Sequence, residues 1–221
     1  MPARIAAYAH DAHYNALAND LRRTVASRRD RAFIAMLTRW HAEVAKRSLT
    51  YVEVGVKQAL FTREVLLACP FVERAYCIDR WKEYPADHPD REKFGYARRP
   101  QESWEELYGK AKKVLEPFGE RAEIIRGSSL AVAATWQLWP HRHAFDVVMI
   151  DAGHTFEDVT ADCKAWWGLL KSGGLLTADD WFPVGDPGRE KTGVSRALEL
   201  FAAERCLPWF GLHRTFYLEK P

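Results

Sequence analysis

Apolar residues along the chain fall into two rhythms. Strand-like runs occur at Leu49–Val54, Val72–Ile78, Ala122–Ile125, Val147–Ile150 and Leu175–Ala178, with the length and apolar character of buried strands. Helical spacing recurs between them, over Phe61–Cys69, Ser103–Leu115, the stretch after Gly127 to Leu138, Glu157–Leu170 and Gly193–Arg205. Pro70 ends the first helix. Ser103 is placed to cap the second, with Glu105 and Glu106 in its first turn. Lys171-Ser172-Gly173-Gly174 stops the Glu157–Leu170 helix, with glycine where a left-handed cap is cheap. Strand–helix–strand units of this length are right-handed crossovers, so the strands run parallel and their C-terminal ends share one edge. At the C-terminus, Leu207–Phe210 and Arg214–Glu219 alternate around Gly211, which predicts an antiparallel hairpin.

Residues 1–48 read as helical, with Leu17, Leu21, Val25, Phe33, Ile34, Leu37 and Trp40 at helical spacing. Their arginines (Arg22-Arg23, Arg28-Arg29-Asp30-Arg31) fit a solvated helix face better than an anion-binding patch. This extension packs over the ligand edge or carries a homo-oligomer contact. Residues 49–221 form the main domain. Within it, residues 82–101 are polar and broken by Pro85, Pro89 and Pro100, which predicts a lid-like insertion over the sheet edge. Arg91, Lys93, Arg98 and Arg99 read there as solvated charge rather than an acidic-substrate dock.

Composition narrows the field. A chain of 221 residues with 48% hydrophobic content supports one domain. A net charge of +2 gives no field for nucleic acid or membrane partners. No apolar run is long enough to span a bilayer. Cys69, Cys77, Cys163 and Cys206 lack metal-type spacing and read as reduced thiols of a cytoplasmic protein. His141, Arg142 and His143 read as a surface turn without a metal role.

The chemistry gathers at the strand ends. The first strand carries Glu53 and then Gly55; the second ends in Asp79, the fourth in Asp151 with His154 three residues on, the fifth in Asp179-Asp180. Open α/β sheets bind ligands at this edge. Glu53 needs a partner if buried, and Gly55 permits a sharp turn and close backbone approach. Lys57 and Ala59 stand where a dinucleotide fingerprint wants glycines, which weakens a nicotinamide-dependent oxidoreductase reading. Asp79 is placed to accept ribose hydroxyls. Trp81 lies either against an adenine or in the core. Gly127-Ser128-Ser129 forms a helix-capping turn, an adenine-lining turn or both. Three carboxylates on one edge repel unless a cation lies among them, and oxygen donors suit magnesium, calcium or manganese. His154, with an ordinary pKa of about 6.5, could take a proton. Separately, Asp151 could be a cap, Asp179-Asp180 strand-end charge and His154 a loop anchor; their occurrence together favours a site.

Ile150-Asp151-Ala152-Gly153-His154, Lys171-Ser172-Gly173-Gly174 and Ala178-Asp179-Asp180-Trp181 carry a resemblance. From about Tyr51 onward the chain resembles class I S-adenosylmethionine-dependent methyltransferases. More narrowly, it is similar to the bacterial group of macrolide sugar O-methyltransferases and cephalosporin-hydroxylase-like proteins. The resemblance implies a Rossmann-like α/β sheet of seven strands in the order 3-2-1-4-5-7-6, the last antiparallel. It implies Glu53 and Gly55 at the methionine part of the cofactor, and Asp79 at the ribose with Arg80 and Trp81 beside it. It places Gly127, Ser128 and Ser129 by the adenine, and Asp151 where cofactor, metal and catalysis meet. Mg2+ would lie on Asp151, Asp179 and Asp180, with His154 as general base. The expectation is methyl transfer to a hydroxylated small molecule, such as a sugar or natural product. A non-catalytic domain of the same fold is the alternative.

Overall fold

The strand-like runs assemble into a single mixed sheet. Its strands are β1 (Leu49–Val54), β2 (Val72–Asp79), β3 (Ala122–Arg126), β4 (Phe145–Ile150), β5 (Leu170–Ala178), β6 (Trp209–Leu212) and β7 (Thr215–Glu219), in the order β3-β2-β1-β4-β5-β7-β6. The computed structural model describes residues 6–7, 9, 11–138, 145–183 and 193–221. The expected His141–His143 turn lies outside these residues, as do residues 184–192. β1 pairs in parallel with β2 and β4, and β4 with β5; β7 runs antiparallel to both β5 and β6. This is the predicted order, with the antiparallel pair at the predicted end.

Period-two alternation divides each central strand between two cores. Tyr51, Val147 and Met149 face one core; Val52, Val54, Val148 and Ile150 face the other. The first core is closed by α1 (Ala12–Asp20), α2 (Arg28–Trp40), α3 (Leu60–Ala68) and α5 (Gln101–Leu115). The second is closed by α6 (Ser129–Gln137), α7 (Phe156–Leu169) and α8 (Val194–Ala203). Every residue of β4 is buried, as expected of a parallel strand covered on both faces.

Helix α2 is part of the core. Ser27 caps it, its Oγ accepting from Asp30 N. Phe33, Ile34, Met36, Leu37 and Trp40 are all buried, and the Phe33 ring meets Phe61 edge-on at 5.1 Å. Truncating a ring buried like Phe33 costs about 3–5 kcal/mol. A π-turn follows α2 and ends at Lys46 in the left-handed region.

Three local expectations change. Ser103 is not a cap, because α5 begins earlier, at Gln101 after Pro100. The Gln101 side chain sets that start, donating to Trp81 O and accepting from Glu83 N. The Lys171–Gly174 segment is strand rather than helix cap. β5 starts directly after α7, and Gly173 (φ 72) donates to Lys220 O while Gly174 O accepts from Lys220 N. C-terminal pairing therefore overrides the local stop signal. The hairpin turns at His213 and Arg214, both left-handed (φ 47 and 74), rather than at Gly211. Two residues with positive φ suit the twist of a tight hairpin. Gly211 lies within β6 opposite Phe216, and it is glycine there because a Cβ would meet the Trp181 ring at 2.2 Å.

Residues 82–100 carry a short helix, α4 (Asp90–Lys93), and a 3-10 turn (Gly95–Arg98). This segment bends over the C-terminal edge of the sheet, bringing Phe94 and Tyr96 against His154.

Candidate active site

Just past the strand ends, four backbone amides donate across to the neighbouring strand. Gly55 N reaches Ile78 O, Asp151 N reaches Val54 O, Gly127 N reaches Asp79 O, and Asp179 N reaches Ile150 O. These bonds set four loops around one cleft of about 590 Å³, within the range typical of small-molecule sites. Glu53, Gly55, Asp79, Ser128, Asp151 and His154 all line it.

One half of the cleft holds the positions expected to meet a nucleoside. Asp79 accepts from the backbone amides of Lys57 and Trp81, each at 2.8 Å. Burial raises its pKa, and those amides partly oppose the rise. Arg80 lines the cleft with its guanidinium 4.2 Å from the Tyr84 ring centre, and its buried Nη2 has no hydrogen-bond partner among the described residues. Ser128 caps α6, accepting from Ala131 N. Ser129 reaches the cleft rim but spends its hydroxyl internally, donating to Asp162 and accepting from Trp166 Nε1. Gly127 has Val132 where its own side chain would stand.

Three of these positions are constrained by the protein itself. Trp81 is fully buried, donates Nε1–H to Lys57 O, and packs 4.8 Å from Tyr108. It is a core residue with no adenine-facing surface, and of its two sequence readings the core one holds. Gly55 (φ 96) is required because a Cβ would lie 1.8 Å from Asp151 O. Glu53 finds its partners within the chain, accepting from Thr62 at 2.5 Å and Tyr51 at 3.3 Å. Burial pushes its pKa to about 7, with Thr62, Arg29 and Tyr51 opposing.

The other half is acidic. Ligand atoms of Asp151, His154 and Asp180 all lie within 4.8 Å of one another. Asp179 stands apart from that trio, its carboxylate paired with Arg29. Of the expected trio, Asp151 and Asp180 converge with His154, and Asp179 lies behind them against Arg29. Neighbouring aspartates on one strand end point to different sides, and the left-handed Asp180 (φ 59) turns its carboxylate toward His154.

His154 is held at both nitrogens. Nε2 lies 2.7 Å from Asp180 and Nδ1 2.7 Å from the Tyr96 hydroxyl, which donates in turn to Asp90. Its backbone N–H also reaches Asp90. Burial alone would depress its pKa, but Asp180 and Asp90 raise it to about 10. The imidazole therefore carries a proton at neutral pH in this arrangement. That differs from the free base expected of a lone histidine, because the two carboxylates facing it are far apart in sequence. Asp180 is correspondingly held below its usual range by His154 and Arg214, against the opposing effect of burial.

Asp151 and Asp179 are both raised by burial and by neighbouring carboxylates, with Arg29 opposing. Asp151 still keeps 26% of its side chain exposed, so its environment is crowded rather than sealed.

Arg29, Arg214, Asp90 and Tyr96 complete the site, and sequence reasoning assigns them no role in it. Arg29 is 150 residues from Asp179, and no spacing rule connects them. Arg214 escapes because the alternation around Gly211 misplaces the hairpin turn. Asp90 gives one faint signal, an acid beside proline in the insertion, but nothing in the sequence shows that it is 1% exposed.

The donor chemistry accommodates an oxygen-preferring cation. Asp151, Asp179 and Asp180 all line the cleft, and the buried Asp179 Oδ1 has no hydrogen-bond partner among the described residues. Magnesium, calcium and manganese take such ligands.

Sheet order, acid-ended strands and a nucleoside-sized cleft define a class I methyltransferase scaffold. A family model described as a methyltransferase domain matches residues 52–181, more than half of the chain, and the chain belongs to that family. It is an S-adenosylmethionine-dependent methyltransferase. No curated protein matches it in sequence. Among solved structures it is similar to the O-methyltransferase from Bacillus cereus in complex with SAH, with TM-score 0.60, 14% identity and coverage of 95% of this chain and 91% of that one. It is also similar to CalS11, the calicheamicin methyltransferase, with TM-score 0.58, 12% identity and coverage of 99% and 97%. The mycinamycin-pathway methyltransferase MycE with Mg and SAH aligns with TM-score 0.52 and 14% identity, covering 86% of this chain and 49% of that one. At such identities the likeness speaks for the fold. Among the described residues no helix is long and apolar enough to cross a membrane.

Proposed function

We propose that the chain is an O-methyltransferase that passes a methyl group to a hydroxyl of a small molecule, with a divalent cation at the acidic half of its cleft. The convergence of Asp151, Asp180 and His154 beside that cleft carries the reading. Asp79, Gly127 and Ser128 would hold the nucleoside, with Glu53 and Gly55 at the methionine end. Asp151, Asp180 and the free oxygen of Asp179 would hold the cation. S-adenosylmethionine supplies a sulfonium-activated methyl, and the cation supplies Lewis-acid lowering of a hydroxyl pKa.

The chain's own residues orient the acceptor and manage its proton. His154 is the base of this reading, poised by Tyr96 and Asp90 at Nδ1 so that Nε2 faces the acids. It accepts a proton only when Asp180 is engaged elsewhere, since that carboxylate raises its pKa most. Phe94 and Tyr96 cover the imidazole and limit water on that side. A sugar or other hydroxylated natural product suits the cleft. The fold shared with CalS11, a calicheamicin methyltransferase, and with MycE, seen in complex with mycinamycin VI, supports that class.

Calorimetry with S-adenosylhomocysteine, followed by turnover on a panel of glycosylated hydroxyl acceptors with and without chelator, tests the reading. Absence of cofactor affinity would remove it. Turnover unchanged by chelator would leave methyl transfer and remove the cation.

A further inference from the structure

Arg29 lies where a cation between Asp151 and Asp179 would lie. Its Nη1 pairs with Asp179 and stands 3.5 Å from Asp151. Its Nε bonds Asp30 at 2.7 Å, and its carbon head lies 4.7 Å from the Phe61 ring centre. The guanidinium is thus fixed by two carboxylates ahead, one beside it and an aromatic face. Asp179 is 4% exposed, and a buried carboxylate stripped of its partner is strongly destabilising. The remaining charges are largely matched: Arg214 and His154 both pair with Asp180, and Arg214 also reaches Asp179 at 3.7 Å, farther than Arg29. Each acid of the cluster therefore has a cation supplied by the chain.

We infer that Arg29 is a tethered counter-ion that a divalent cation has to displace, so the two are alternative occupants of the gap between Asp151 and Asp179. The inference rests on the cation site of the proposed transferase. Two positive charges of this kind cannot share that gap without strong repulsion. Asp30 already binds Nε and remains as a partner when Nη1 withdraws. Arg29 lies in the first turn of α2, just past its Ser27 cap, so cation occupancy is registered at the start of α2. With no cation bound, Arg29 holds the acids together and keeps the cleft edge formed.

Manganese serves as the probe, with free aquo-ion measured by electron paramagnetic resonance against wild type, Arg29→Gln and Arg29→Lys, each checked for fold by circular dichroism. Arg29→Gln is expected to bind at least about tenfold more tightly than wild type, since the competing charge is gone. Arg29→Lys, a compact charge without the fork, should fall between. Binding by Arg29→Gln with none by wild type is the extreme form of the same result. Equal or weaker binding by both variants, or no binding by any of the three proteins, overturns the inference. If Arg29→Gln does not fold, Arg29→Lys decides, with no tightening counting against. The same samples are titrated with S-adenosylhomocysteine. A protein that binds it while manganese affinity is unmoved by Arg29 substitution has lost only the competition. A protein that binds neither has lost the transferase reading as well.

Discussion

Asp162 offers a direct test of how this fold treats a buried carboxyl. It sits on α7 at 5% exposure, accepting from the Ser129 hydroxyl, which accepts in turn from Trp166 Nε1. Burial pushes its pKa from 3.8 to about 7, with Ser129 opposing and Asp158 adding to the rise. A folded-state pKa above the unfolded one means that the folded chain holds the extra proton. Stability is thus unaffected by this group below the unfolded pKa. It falls as pH rises through the window from 3.8 to about 7 and levels off above it. About three units at about 1.36 kcal/mol each set a ceiling of about 4 kcal/mol. Between pH 5 and pH 8 about 2–3 kcal/mol of that should appear.

Asp162→Asn keeps an acceptor for Ser129 and has no proton to lose. Urea unfolding of both proteins across this range should show the asparagine variant gaining on wild type by that amount as pH rises, a relative shift of roughly 2–4 °C in Tm per kcal/mol. Glu53 is raised in the same direction, but it is present in both proteins and cancels in the difference. Parallel stability curves from pH 5 to pH 8 would refute the burial argument.

The other predictions concern the site. Gly55→Ala should cost about 2–4 kcal/mol of stability from its positive φ and the clash with Asp151 O; wild-type melting and cofactor affinity in this variant would contradict the close approach. Asp180→Asn removes the anion that most raises His154, so its imidazole pKa should drop from about 10 by about 1–3 units, read from ring-proton shifts in a nuclear magnetic resonance titration. The stability His154 contributes is complete below the ordinary histidine value of 6.5 and is lost as pH rises toward about 10, so in the variant that loss should be smaller and end at a lower pH. Gly211→Ala should displace Trp181, which is anchored to Glu199 beside Asp180. A loss of about 1–3 kcal/mol is expected, and a crystal structure with Trp181 unmoved would count against it.

The layout of strands and helices was readable because each strand is short, apolar and bounded, and because crossover handedness leaves few ways to connect such units. The same logic places Asp79, Asp151, His154, Asp179 and Asp180 on one edge from the order of residues alone. Glu53, Gly55 and Trp81 show the boundary of that reading. Glu53 and Gly55 do line the cleft, but what the sequence does not show is that Glu53 is already bonded to Thr62 and that Gly55 makes room for Asp151 O, while Trp81 fills the core.

Sequence by itself therefore determined which acids share an edge, since strand period and connection handedness are local rules. Only the tertiary structure decided how their charges are balanced. Arg29 from α2, Asp90 and Tyr96 from the insertion and Arg214 from the last hairpin arrive from distant parts of the chain. Coulombic pairing depends on distance in space, and no pattern of spacing along the chain encodes which of 32 lysines and arginines will reach a given carboxylate.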